Sequence, residues 1–354
     1  MGAPKVEHRV RFSVRARVID GMARWVARPV LSLWPLTPTA LRAAPLLELV
    51  AGLRKAPAGT RTELLRIAGF VAEWVKADGV APGLADPAGG AVLYFHGGAF
   101  IGGGIGTHRR CVSALSRTSR KPVLSVAYRQ YPATHLAGSV RDGVFAYRWL
   151  LAHGYPAERI VLAGDSAGGY LSFCVALDAV AAGLPAPAGI VGISPLLDWD
   201  CTERSTHANL RRDAYVPGRR LQALYRLVAP LAGPVDPALS PVNRELAGLP
   251  PVLLQVAASE VLRCDAEVMV RRLAAAGVDA TLQIWAGQVH AFPVLAGLLP
   301  EAMAALIEAG AFVQRVTSQP RRAVTGLTVP VETAGPTEPP ESGAGTPPEM
   351  DATA

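Results

Sequence analysis

Apolar positions follow two rhythms along the 354 residues. Up to about residue 80 they recur at helical spacing, as in Val18, Met22, Trp25 and Val26 and again in Leu46, Leu49, Val50 and Leu53, which predicts a helical N-terminal region over 1–80. From Gly89 the pattern changes. Short, solid apolar runs at 91–95, 122–127, 159–163, 189–193, 252–257 and 280–285 read as strands. Longer segments at 109–119, 139–152, 170–177 and 267–275 read as helices between them. Repeated strand-then-helix units predict an α/β body over 81–315, with a mainly parallel sheet covered by helices. The stretch 196–249 breaks the rhythm, being rich in Arg and Pro without a clear strand. It reads as a second cap insertion over the C-terminal edge of the sheet, where α/β active sites lie. From about residue 316 Pro, Thr, Gly and Glu dominate, and the tail over 316–354 is expected to be disordered.

The chemistry starts at Gly164-Asp165-Ser166-Ala167-Gly168-Gly169, between a predicted strand and a predicted helix. Strand, Gly-x-Ser-x-Gly, helix is the context of a nucleophile elbow, a turn so tight that Gly164 and Gly168 fit where a Cβ would clash. A serine hydroxyl needs a base to take its proton and an acid to orient that base. His290 follows the last strand and is the candidate base. Glu260 leaves the end of the preceding strand and is the preferred acid, with Asp265, one helical turn further on, as the alternative. His8, His108, His135, His153 and His207 lack such a context and receive no role. The oxygen of a tetrahedral intermediate requires preorganised N–H donors. Gly97 and Gly98, in the loop His96-Gly97-Gly98-Ala99-Phe100, are the candidate donors together with Ala167, and Ala99 is in reserve.

These residues resemble those of the α/β-hydrolase superfamily, and specifically the bacterial hormone-sensitive-lipase-like esterases, over about 92–312. The loop at His96 is similar to the family's His-Gly-Gly-Gly motif, and Tyr128-Arg129 with Pro132 is similar to its Tyr-Arg-x-x-Pro segment. Asp142 resembles the acid near the start of the helix leading to the elbow strand. Two departures stand out: Ala99 replaces the third glycine, and Glu260-Val261-Leu262 stands where Asp-Pro-Leu is usual. The resemblance implies an α/β-hydrolase fold with about eight strands, helices on both faces and a helical N-terminal cap. It implies no metal and no cofactor. The expected activity is hydrolysis of short-to-medium acyl esters, with lactone, amide or thioester hydrolysis and a non-catalytic ligand-binding role on the same fold as alternatives.

Charge refines this picture. The net +7 is uneven: residues 1–62 hold 11 Lys/Arg against 3 Asp/Glu, a net +8, leaving 24 against 25, or −1, for the rest. A nucleic-acid enzyme would set its charge around the cleft, so no nucleic-acid partner is expected. The basic segment around Arg15, Arg17, Arg24 and Arg28 has two readings: a packed cap helix with a solvated charged face, or a peripheral contact with an anionic membrane. A homodimer is left open. Cys111, Cys174, Cys201 and Cys264 have neither zinc-site spacing nor disulfide density, so reduced thiols in a cytoplasmic protein are expected. No secretory signal or membrane-spanning run is apparent.

Overall fold

The computed structural model describes residues 4–41, 48, 50–53, 55–67, 69–80, 86–200, 202–229 and 236–318. Leu46, Leu49, Cys201 and nearly all of the expected tail lie outside these residues. Among them nine strands form one sheet: β1 (Lys5–Arg9), β2 (Thr60–Ile67), β3 (Phe70–Ala77), β4 (Ala91–Phe95), β5 (Val123–Ala127), β6 (Ile160–Asp165), β7 (Gly189–Ile193), β8 (Val252–Ala257) and β9 (Ala280–Trp285). Their order is β1-β9-β8-β7-β6-β4-β5-β3-β2. The six solid apolar runs are the parallel interior β4 to β9. Such runs suit strands covered on both faces.

The N-terminal region departs from the helical expectation. Lys5–Arg9 pairs in parallel with β9 at one edge of the sheet, and β2 and β3 form an antiparallel hairpin at the other. Most of β2 is exposed, and its Thr-Arg-Thr-Glu-Leu-Leu run lacks the strict alternation that marks a half-buried strand. Its strand conformation comes from pairing with β3, whose opposite edge joins β5. The helical part is shorter: α1 (Val14–Met22) passes through a π-helical turn at Ala23–Ala27 into α2 (Arg28–Leu33). Ser13 caps this run, its hydroxyl accepting the Ala16 N–H at 3.2 Å.

The body helices are α3 (Ile105–Ser119), α4 (Leu136–Ala152), α5 (Ala167–Ala181), α6 (Leu221–Val228), α7 (Arg263–Ala275) and α8 (Pro300–Ser318). The two-residue period of a strand divides them between two cores. On β4, Ala91, Leu93 and Phe95 join a core with α4, α5 and α7, while Val92 and Tyr94 join another with α3 and α8. The shared C-terminal ends of β4, β6, β7, β8 and β9 carry the loops that build the site.

Helices α3 and α8 touch through Gly310. A Cβ there would lie 2.5 Å from the Thr118 carbonyl carbon and 2.6 Å from its oxygen. The helices cannot easily part, because Thr118 Oγ1 donates to the Leu306 carbonyl at 2.8 Å and Gln314 Nε2 donates to the Thr118 carbonyl at 2.7 Å. Gly310→Ala gains about 1 kcal/mol of helix propensity, but overpacking against backbone costs about 1–3 kcal/mol. The expected outcome is a lower urea midpoint; a midpoint at or above wild type would mean the contact has slack.

Candidate active site

The turn at the end of β6 is held on every side. A Cβ on Gly164 would lie 2.4 Å from Gly168 C, and one on Gly168 only 1.9 Å from the Phe95 carbonyl oxygen. Ser166 itself sits at φ 51°, ψ −114°, a conformation that costs a non-glycine residue about 1–3 kcal/mol and persists only where the surroundings impose it. They do so here. Its N–H donates to the Ile193 carbonyl at 2.9 Å, and its own carbonyl accepts the N–H groups of Tyr170 and Leu196, both at 3.1 Å. The Ser166 side chain caps no backbone group of α5 and is half-buried at the helix start.

His290 and Glu260 come together from the ends of β9 and β8. His290 Nδ1 lies 3.2 Å from Glu260 Oε2, with both side chains almost wholly buried. Burial pushes the Glu260 carboxyl up, against the hydrogen bond and charge of His290 that pull it down. Burial also opposes a charged His290, but the hydrogen bond and charge of Glu260, helped by Asp213 and Asp165, leave the imidazole raised above 6.5. The backbone around the pair is pinned. Asn209 Nδ2 donates to the carbonyls of Ala258 (2.9 Å) and Glu260 (3.0 Å), and Asp213 Oδ2 accepts the Val261 N–H at 2.8 Å. Ala291, at φ 53°, donates its N–H to Ser194 Oγ at 3.0 Å.

Asp265, the alternative acid, is engaged elsewhere. Its Oδ2 accepts the N–H groups of Leu197 (2.9 Å) and Asp198 (3.0 Å), and both oxygens receive the Arg204 guanidinium at 2.6–3.0 Å. This buried pair ties the segment after β7 to the first turn of α7. Asp265 therefore serves that join, and Glu260 is the carboxylate at His290.

The glycine loop also needs one correction. Gly97 was an expected oxyanion donor, but its N–H already donates to Asp165 Oδ1 at 2.9 Å. The amides of Gly98 and Ala99 have no acceptor among the described residues. Ala167 is the first residue of α5, where an N–H has no partner within the helix. The available donors are thus Gly98, Ala99 and Ala167. Glycine is required at position 98, since at φ +123° a Cβ would lie 1.8 Å from the Gly102 carbonyl oxygen.

Several side-chain pairings around the loop are not visible in the sequence. Asp165 also accepts the Tyr94 hydroxyl at 2.8 Å and lies 3.3 Å from His108 Nε2. His108, given no role from its local context, is the charge partner of this carboxylate, and its pKa is raised by Asp165 in spite of burial. His96 stacks on Tyr128 at 4.4 Å, and burial, then His108, push its pKa down to about 4, so its ring is neutral. Asp142 takes the Arg129 guanidinium in bidentate fashion at 2.6–3.2 Å, together with the Arg129 N–H. The following residues brace the loop: Tyr131 N–H donates to the Phe100 carbonyl (2.9 Å) and Gln130 Nε2 to the Gly103 carbonyl (3.2 Å).

Above the site, the Tyr215 ring lies nearly parallel to His290 with centroids 6.2 Å apart. Phe100, Tyr170 and Trp199 form an aromatic cluster beside the loop, with centroids 5.5–6.1 Å apart. Among the described residues no group of three or more His, Cys, Asp or Glu could hold a metal ion. A strained serine, a buried carboxylate–imidazole pair and clustered unpaired amides are the parts that acyl transfer needs.

The comparisons with known proteins agree with this chemistry. Residues 92–294, more than half of the chain, match the model of a family described as having an alpha/beta hydrolase fold. The chain is 42% identical to the esterase LipU of Mycobacterium tuberculosis over 252 residues, covering 70% of this chain and 84% of LipU. It is 41% identical to the carboxylesterase/phospholipase LipF of the same organism, covering 73% of this chain and 70% of LipF. Among solved structures, an esterase from the bacterial hormone-sensitive lipase family superposes with a TM-score of 0.77 at 34% identity, covering 87% of this chain and all of that one. With relatives named as esterases on this fold, a purely ligand-binding role falls away: the chain belongs to the α/β-hydrolase fold family, in its hormone-sensitive-lipase-like group, and is a carboxylic-ester hydrolase.

Proposed function

We propose that the chain hydrolyses short-to-medium, uncharged acyl esters through Ser166, His290 and Glu260, with the amides of Gly98, Ala99 and Ala167 as the oxyanion hole. The observation that carries this reading is the buried 3.2 Å contact between Glu260 and His290, on a loop tied through the Ala291 N–H to Ser194, the neighbour of the Ile193 carbonyl that accepts the Ser166 N–H. Glu260 accepts the Nδ1–H of His290, which leaves Nε2 as the base. Nε2 takes the Ser166 proton as Oγ attacks the ester carbonyl. The carbonyl oxygen becomes negative and is held by the three N–H groups. His290 then passes its proton to the departing alkoxide, leaving an acyl-serine. Water, deprotonated by the same imidazole, attacks that ester, and the acid leaves as Ser166 regains its proton. The same hole serves both half-reactions.

The segment 202–228 acts as a cap together with α1 and α2. Arg24 donates to the Arg212 carbonyl at 3.0 Å, and Arg28 donates to the Asp213 carbonyl, so the N-terminal helix grips the strand of chain that carries Tyr215 to His290. The mutual packing of Phe100, Tyr170 and Trp199, with ring centroids 5.5–6.1 Å apart next to the glycine loop, supports a short acyl site in this reading. In an acyl series of p-nitrophenyl esters, kcat/KM is expected to peak between acetyl and octanoyl; a maximum on palmitoyl emulsions would overturn the chain-length reading.

Ser166→Ala is expected to lower kcat on p-nitrophenyl butyrate by about 10⁶-fold, as for other serine nucleophiles, and to abolish labelling by a fluorophosphonate. Full activity would remove Ser166 from the mechanism. The two acids separate in a paired test. His290 works only when neutral, so activity disappears as pH falls through its raised pKa, placing the acid limb of kcat/KM above 6.5. Glu260→Gln removes the charge that raises it, so the limb moves down while kcat falls about 10³–10⁴-fold. Asp265→Asn breaks a buried pair and is expected to cost about 3–5 kcal/mol of stability, with the limb unmoved in the folded fraction. The reverse pattern would give the role to Asp265.

A further inference from the structure

The helical run α1–α2 is mounted with its apolar side outward. Its underside is small: Ala16, Ile19 and Ala23 pack on Trp285, Phe292, Ala302 and Ala305. The opposite side presents Val14, Val18, Met22, Trp25, Val26, Val30 and Leu33, all exposed, with Trp25 at 79% and Leu33 at 81%. These positions follow one another at helical spacing, so they form one stripe along 14–33. A cap helix packed only on its own domain would turn its charges to solvent. Here Arg24 and Arg28 instead reach carbonyls at 211–213, and Arg220 donates to the Trp34 carbonyl at 2.7 Å and to that of Ser32. The polar contacts fasten the helix down and leave the apolar stripe uncovered.

The charge around the stripe identifies what would cover it. Residues 5–34 hold seven Lys/Arg against two Asp/Glu, a net +5. Arg11, Arg15 and Arg17 are exposed and have no carboxylate partner among the described residues. Trp25 and Trp34 add the amphipathic rings that favour a membrane–water boundary. A second copy docking stripe to stripe would bring each arginine group against its own symmetry mate, which like-charge repulsion opposes. An anionic lipid surface accepts both features at once: the acyl boundary takes Val, Met, Leu and Trp, and the headgroups take arginine.

We infer that α1–α2 is an in-plane docking element for an anionic phospholipid surface, mounted beside the cap segment that carries Tyr215 to His290. No helix among the described residues is long and apolar enough to cross a membrane, and this element would lie along the surface. Docking is a property of the outer face of the cap and does not depend on the assignment of the catalytic residues.

The test uses the full chain and sedimentation with vesicles of phosphatidylcholine alone or mixed in equal parts with phosphatidylglycerol. Binding is expected on the mixed vesicles, weak on the neutral ones and reduced by high salt. Trp25→Ser combined with Leu33→Ser should weaken it by about tenfold or more, and Arg15→Glu combined with Arg17→Glu by about tenfold or more. All four positions are exposed, so both variants are expected to hydrolyse dissolved p-nitrophenyl butyrate like wild type, which reports an intact fold and site. Equal binding to neutral and anionic vesicles, or undiminished binding by the Trp25/Leu33 variant, would overturn the inference. So would light scattering that shows a dimer dispersed by the Trp25/Leu33 variant, with no vesicle binding by wild type; that result would give the stripe to a second copy.

Discussion

A carbonyl oxygen decides where this chain can turn. The Phe95 oxygen at the end of β4 stands 1.9 Å from the place where Gly168 would carry a Cβ, so the first turn of α5 can press against the end of the neighbouring strand only without a side chain. That approach puts the Ser166 turn next to the loop at His96, and the two halves of the site become neighbours through one missing methyl. The left-handed conformation of Ser166 follows from the same crowding. A hydrogen bond to the Ile193 carbonyl and two from the Tyr170 and Leu196 N–H groups then hold the strained residue in place.

The second constraint is a buried charge. Burial alone would push the Asp165 carboxyl up, yet His108, the Tyr94 hydroxyl and the Gly97 amide hold it below the usual aspartate range. An ionised group inside a core is tolerable only when its lone pairs are filled. Filling them ties β4, α3, β6 and the glycine loop to a single side chain, and it consumes the Gly97 N–H. In the proposed mechanism the loop offers its next two amides instead, and an alanine at 99, where a glycine is usual, supplies the N–H that role asks for.

Much of the body was legible because interior parallel strands are solid apolar runs. The runs at 91–95, 189–193, 252–257 and 280–285 coincide with the observed strands. Helix starts were less legible: α3, α4 and α7 begin three or four residues before their predicted starts. The edges failed for a physical reason. Three of the five residues of Lys5–Arg9 are charged and β2 is mostly exposed, so both are strands by virtue of their partners rather than their own pattern. The site was legible as an order of motifs, Ser166 and His290 above all. The choice between Glu260 and Asp265 depended on Arg204, which lies in the segment that sequence periodicity left without structure. His108 was invisible because its partner is 57 residues away, and nothing around it in the chain marks the pairing.

The pairing of β1 with β9 links the start of the fold to its last strand. Lys5 sits opposite Thr281, so a chain growing from the ribosome makes β1 first and its partner some 276 residues later. At about 5–20 residues per second this interval is roughly 14–55 s. Throughout it the underside of α1 also lacks Trp285 and Phe292, so Ala16, Ile19 and Ala23 stay uncovered along with the outer stripe. For that time α1 is apolar on two sides at once, and a segment made long before its partner strand is among the last to find its place.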